Sequence, residues 1–225
     1  MKYYIINALK FYDMKNENLP PVVFVIILFT GFSGTILSDL LAKSLPLEIL
    51  YNIISFVVLN MASAVYLKAY LNELRGEVCT LKDCAIHVLG KFYKIVLAYL
   101  AFFIIIAIGL FLLVIPGIVF CFMFLFNTCY IVDKNFGVME AFNTSRNLTN
   151  GVKMELFALY VVFSLVLYFP LLIVLVIALY TATDLIFSFI LSFISTIIAI
   201  MRQRLIAMVF KDLEYGVKEP DYMDI

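Results

Sequence analysis

Side chains able to do chemistry are few and scattered in this sequence. Its one histidine, His87, stands among Lys82, Asp83, Lys91 and Lys94. No second ligand or catalytically spaced carboxylate accompanies it, so it reads as a group on a solvated face. Cys79, Cys84, Cys121 and Cys129 make no C-x-x-C pair. They read as small buried hydrophobes, with neither a disulfide nor a metal site expected. Asp39, Glu155 and Asp184 fall near the ends of apolar tracts, whereas ion-coupled carriers hold such groups at mid-membrane depth. Asn60 lies near the middle of an apolar tract, where an asparagine is expected to bond across to a neighbouring helix; a place in a solute path is the rival reading. H-E-x-x-H, G-x-S-x-G, P-loop and G-x-G-x-x-G patterns are missing, so the expectation is a non-enzyme without cofactor.

The elements that must position these groups follow from composition. Hydrophobic residues make up 65% and charged residues 14% of 225, and mean hydropathy is +1.08, which departs from soluble domains toward a membrane protein. Charge-free runs cover Leu19–Ser38, Ile49–Leu67, Ile95–Val132, Leu156–Thr183 and Leu185–Met201. One crossing needs about 20 residues. Four runs suit one crossing each, but Ile95–Val132 would be about 57 Å of helix at about 1.5 Å per residue. Pro116-Gly117 is the expected outer turn within it. The second arm, Ile118–Val132, is then short for a crossing. It either starts within the turn or belongs to a re-entrant hairpin.

The expected fold is all-α and polytopic, with six transmembrane helices arranged as three hairpins. Each hairpin follows an amphipathic surface helix: surface helix 1–15 with hairpin 21–71, 80–93 with 94–132, and 138–150 with 152–210. A charged, mobile tail, 211–225, ends the chain. With the amino terminus inside, Lys43 is the only one of 16 Lys and Arg residues left outside. The positive-inside rule therefore places both termini in the cytoplasm. The basic residues form no continuous surface for nucleic acid.

Local signals refine this layout. Pro20-Pro21 ends the first surface helix, and Thr80 with Asp83 forms a capping box. Leu81, Cys84, Ala85, Val88, Leu89 and Phe92 make one apolar side. Two small-residue stripes, Thr30, Gly34, Ser38, Ala42 and Ser188, Ser192, Thr196, read as helix seams. Pro170 is expected to kink its helix, and Arg202 and Arg204 to snorkel to the inner interface. Ser145 faces the apolar side of 138–150 and needs a polar partner, while Gly151 suits the left-handed residue after that helix. The two glycosylation sequons at Asn143 and Asn147 read as chance.

Ile115-Pro116-Gly117-Ile118, Asp133 with Gly137, Glu140-Ala141, Ser145 and Gly151 together resemble the signature of a prokaryotic membrane family. It includes YciC-like proteins and the membrane domain fused to some glycerophosphodiester phosphodiesterases. The chain departs from it at Tyr130 and at Val152-Lys153, and no soluble phosphodiesterase domain is expected within its 225 residues, so that activity is not implied. The resemblance implies a prokaryotic cell-membrane protein and is nearly silent on chemistry. From their shared depth, Asp133, Glu140 and Arg146 are expected to clamp the third surface helix to the bundle. An anionic headgroup site at Arg146 is the rival. Expected partners are the lipid bilayer and another membrane protein or lipid enzyme. The functional expectation is an accessory or scaffold protein, with a small-solute or lipid transporter as the alternative.

Overall fold

The computed structural model describes residues 1–37, 44–181 and 184–216, and among them the fold is entirely helical. In chain order the helices are α1 (Lys2–Leu9), α2 (Leu19–Ile36), α3 (Leu45–Leu74), α4 (Leu81–Leu89), α5 (Phe92–Leu112), α6 (Val114–Met123), α7 (Asn127–Lys134), α8 (Val138–Leu148), α9 (Lys153–Thr181) and α10 (Asp184–Tyr215). Five segments have the length and apolar character to cross a membrane: Leu45–Leu74, Phe92–Leu112, Val114–Lys134, Lys153–Ile173 and Leu185–Tyr215. The shorter α2 is also apolar. The loop carrying Lys43, part of the 181–184 turn, the stripe members Ser38 and Ala42, Asp39 and residues 217–225 lie outside the described residues.

Sequence signals place most boundaries. Pro20 and Pro21 do not end the first surface helix, which stops at Leu9; they occupy the first turn of α2, where a missing N–H costs nothing. Ser44 precedes α3, with Pro46 in its first turn. The Thr80 hydroxyl accepts from the Asp83 amide at 3.2 Å, which is half of the expected capping box; the Asp83 carboxylate accepts from the Thr80 hydroxyl at 2.6 Å and not from the Thr80 amide. Surface helix α1 is shorter than residues 1–15.

The expected turn at Pro116-Gly117 is corrected. The chain reverses at Leu113, which is extended at φ −162° and ψ 141°, and Pro116 sits in the first turn of α6. Proline fits there for the same reason as in α2. Gly117 instead permits close packing of α6 on α5: a Cβ there would lie 2.8 Å from the Leu110 amide nitrogen. One added to Gly109 would lie 2.9 Å from the Gly117 Cα. The returning arm thus starts earlier than Ile118 and covers Val114–Lys134, with a turn at residues 124–126.

That arm is the centre of the bundle. Half of its most apolar window is buried, against 17–22% for the other four segments, and every residue from Asn127 to Val132 is buried. Around it α3 packs against α2, α4, α5, α7 and α10. The core gathers Tyr66, Leu67, Tyr130, Ile131, Leu205 and Phe210, all near one end of the bundle. Elsewhere large apolar side chains point outward, including Phe29 at 70%, Phe111 at 91% and Ile115 at 76% exposure, the surface expected of helices facing lipid.

The stripes act partly as seams. Gly34 meets Tyr51 of α3, whose hydroxyl lies 2.8 Å from Ser33 Oγ, and Gly31 approaches Ser192 of α10. Phe24 and Phe32 pack edge-on against Phe193 and Phe189. The seam leaves a cavity of about 360 Å³ bordered by Ser63, Ser192, Ser195 and Thr196.

Candidate functional site

The polar end of the bundle begins with how α7 stops. Asn135 takes a left-handed conformation, φ 60° and ψ 26°, and the Phe136 amide donates back to the Tyr130 carbonyl at 3.4 Å. The last carbonyls of a helix lack intrahelical donors and carry its negative dipole end. Lys91 supplies a cation, donating to the Ile131 and Val132 carbonyls at 3.1 and 3.2 Å. His87 Nε2 lies 2.9 Å from the same Val132 oxygen and 2.8 Å from Lys91 Nζ. Burial, with Lys68 and Lys94 nearby, pushes the Lys91 ammonium down to about 8, and burial also lowers the His87 pKa.

Asp133 is the focus. Its side chain is 0% exposed in the last turn of α7. Lys68 and Arg75 are spaced so that both can meet one partner from α3 and its C-cap. Arg75 pairs with Asp133 Oδ2, and the Tyr215 hydroxyl donates to the same oxygen at 3.0 Å. Lys68 Nζ is 3.9 Å from Oδ1, which has no hydrogen-bond donor within reach among the described residues. Beside this cluster Glu214 accepts from Lys134 and from the Tyr130 hydroxyl. Tyr130 stacks on Phe136, with centroids 5.7 Å apart, and meets Phe210 edge-on.

The amino-terminal segment is latched to the same end. Tyr4 donates to Asp212 at 2.7 Å, the Lys15 amide to Glu73 at 3.1 Å, and Asn16 to the Cys79 carbonyl at 2.8 Å. The Tyr66 hydroxyl donates to the Phe11 carbonyl at 2.9 Å. Buried Arg204 donates to the Asp13 carbonyl at 2.8 Å, its guanidinium 4.3 Å from the Tyr70 ring centroid.

Several sequence expectations are overturned here. Asp133, Glu140 and Arg146 do not form a clamp: Asp133 pairs with α3 and α10, while Glu140 accepts from the Gly137 amide at 3.2 Å to cap its own helix. Arg146 is exposed. The surface helix is instead fixed by Ser145, which is fully buried, donates to the Met123 carbonyl at 3.0 Å and accepts from the Phe126 amide at 3.2 Å. The turn at residues 124–126 frees those backbone groups, so Ser145 finds its partner there.

Asn60 does not bond across helices, because it donates to the Phe56 carbonyl of its own helix at 2.7 Å. His87 is half-buried against α7, not on an open face. Arg204 does not snorkel outward, since the amino-terminal segment covers it. The tail is not loose from residue 211, as α10 continues to Tyr215 through ordered contacts. Leu89 and Phe92 of the expected apolar side are exposed, leaving Cys84 and Val88 as its buried members. Cys79 and Cys84 are paired as a disulfide with Cα atoms 6.2 Å apart, against the expectation of free thiols; the Thr80 cap turns the chain so that the two side chains meet. Gly151 has φ +90°, as its expected role requires, although the helix ends at Leu148.

Sequence reasoning missed Lys68, Arg75, Lys91, Glu214 and Tyr215. The available signal was Lys68 and Arg75 placed two turns apart where an apolar helix leaves the hydrocarbon. Chemically, this arrangement joins α3, α5, α7 and α10 through charge at one level. Among the described residues no group of three or more His, Cys, Asp or Glu side chains is placed to hold a metal ion. Compared with protein-family models, curated proteins and solved structures, the chain matches none.

Proposed function

We propose that this chain is a non-enzymatic integral membrane protein, an accessory or scaffold that crosses the bilayer six times as three hairpins. In this reading α1, α4 and α8 lie on the cytoplasmic surface, each ahead of a hairpin, both termini are inside, and the adjacent Cys79 and Cys84 sulfurs face a reducing compartment that opens their bond. One observation carries the reading. Among the described residues the ion pairs gather at a single end, where they join α7 to α3 and α10 and hydrogen bonds latch the amino-terminal segment, while large apolar side chains cover much of the remaining surface. A bond from Tyr4 to Asp212 brings the first and last described helices together, as an even number of crossings requires. The family resemblance is a further proposal, supported by the structural work its residues do: Gly117 allows close packing, Asp133 pairs, Glu140 caps, Ser145 docks and Gly151 turns.

Single cysteines introduced into a cysteine-free variant test the topology. Leu113→Cys should react with an impermeant thiol reagent from outside intact cells, and Lys82→Cys only after permeabilisation. The reverse pattern, or reaction of both from one side, defeats the layout. The alternative function, a small-solute or lipid transporter component, draws on the cavity beside Ser63 and Ser192. Thr196 and Ser195, however, spend their hydroxyls on carbonyls of their own helix at 2.7 Å. Specific flux of any solute or lipid into reconstituted liposomes would favour the transporter over the scaffold.

A further inference from the structure

The docking of α8 leaves its polar side and the start of α9 around an open cleft. Arg146 and Lys153 line it, with Met123, Asn143, Asn147 and Asn150; its volume is about 360 Å³. Neither cation has a carboxylate within 4.0 Å among the described residues. Two unpaired cations and three carboxamides converge here with strong donors for an anion.

Lys153 also borders a second, apolar hollow between α6 and α9, formed with Ile118, Val119, Phe122, Met154 and Phe157. That hollow shares Ile118, Phe122 and Phe157 with a longer groove of about 530 Å³. Tyr160, Ser164, Tyr168 and Leu172 continue the groove along α9 at helical spacing. From Phe157 to Leu172 it extends roughly 22 Å at about 1.5 Å per residue, more than the roughly 15 Å of one hydrocarbon leaflet. It opens sideways past Leu165 and Phe169, which are 63% and 69% exposed. The Tyr160 hydroxyl, buried beside the groove, has no hydrogen-bond partner among the described residues.

A cationic cleft that meets an apolar hollow at Lys153, and through it a groove of acyl-chain length, fits one class of molecule. We propose that this site binds an anionic phospholipid, its phosphate on Arg146 and Lys153 and one acyl chain between α6 and α9. The site rests on the membrane reading above and adds a specific ligand to it. Charge complementarity selects the headgroup, and the apolar groove selects a lipid over a free phosphate ester.

Melting of the purified full chain tests this in phosphatidylcholine nanodiscs with and without phosphatidylglycerol, and in detergent with glycerol phosphate alone. Phosphatidylglycerol should raise the melting temperature of the native chain. The Arg146→Gln/Lys153→Gln pair should weaken the apparent affinity at least about tenfold, as loss of charge-assisted bonds implies. Ser164→Trp, which fills the groove, should weaken it without touching either charge. Equal stabilisation by phosphatidylcholine, a phosphatidylglycerol response kept in the paired variant, or full stabilisation by glycerol phosphate each overturns the proposal. Retention in membranes after an alkaline carbonate wash is scored separately. Loss there fails the membrane reading itself, whereas retention without a lipid response fails only this site.

Discussion

Replacing Asp133 with asparagine keeps the side-chain volume and removes one charge from the centre of the polar end. Lys68 at 3.9 Å is attracted by about 4 kcal/mol at an effective dielectric of about 20, before desolvation is subtracted. Removing one partner of a buried pair costs about 3–5 kcal/mol, mostly by leaving the other charge uncompensated. Arg75 and Lys68 keep 31% and 12% side-chain exposure, so water recovers part of that loss. The expected cost is therefore about 2–3 kcal/mol, or about 4–12 °C in melting temperature for a chain of this size. The assay is thermal unfolding in lipid-free detergent. Arg146→Gln should shift melting by less than about 2 °C, since it touches no ion-pair partner. Adding Arg75→Gln to Asp133→Asn should recover part of the loss, because one unpaired cation is then gone. An unchanged melting point for Asp133→Asn, or an equal effect of Arg146→Gln, would refute the assignment of Asp133 to α3 and α10.

Three further outcomes follow from the packing and titration of the same end. Ending the chain after Lys211 removes the Asp212, Glu214 and Tyr215 contacts and should lower the melting temperature at least as far as Asp133→Asn; a truncated chain as stable as the intact one contradicts the ordered tail. Gly117→Ala should destabilise by about 1–3 kcal/mol through overpacking, whereas Gly137→Ala, with open space at its Cβ and no positive φ, should shift melting by less than about 3 °C. Lys91 has a folded pKa of about 8 against 10.5 for an unperturbed lysine, so the folded chain binds fewer protons between those values. Stability should rise as pH climbs through that window, and the rise should shrink in Lys91→Met. Equal slopes in the two proteins would show that Lys91 titrates as it does in water.

Apolar run length made the helical architecture legible, because lipid leaves few alternatives for satisfying a backbone. The Thr80 cap and the left-handed Gly151 were legible too, each through a local steric or hydrogen-bonding rule. Pro20-Pro21, by contrast, was misread as the end of the first surface helix, because proline suits the first turn of a helix equally well. The turn near Pro116 was misplaced because Pro-Gly serves equally as a turn or as a helix start followed by a close approach. Only the position of Leu110 against Gly117 decides between them. The clamp failed for a related reason: shared depth in the membrane says nothing about azimuth around the bundle. α7 turns the Asp133 carboxylate toward α3, while α8 docks through Ser145 on Met123 and Phe126, farther back along the arm, and turns Arg146 outward.

That azimuthal split also separates two tasks within one short stretch. Asp133 and Ser145 face inward and fix α7 and α8 to the bundle, the first by charge and the second by bonding the backbone freed at residues 124–126. Arg146 follows Ser145 directly, so the bond that buries one residue holds the next at the rim, facing Lys153. A cation held there by its neighbour loses less freedom on meeting an anion than one on a loose loop. Ser145→Ala should therefore weaken phosphatidylglycerol stabilisation although the serine touches no lipid, and Ser145→Thr, which keeps the hydroxyl, should retain more of it than alanine does. Equal loss in the two variants would place the contribution of Ser145 in packing volume and not in its hydrogen bonds.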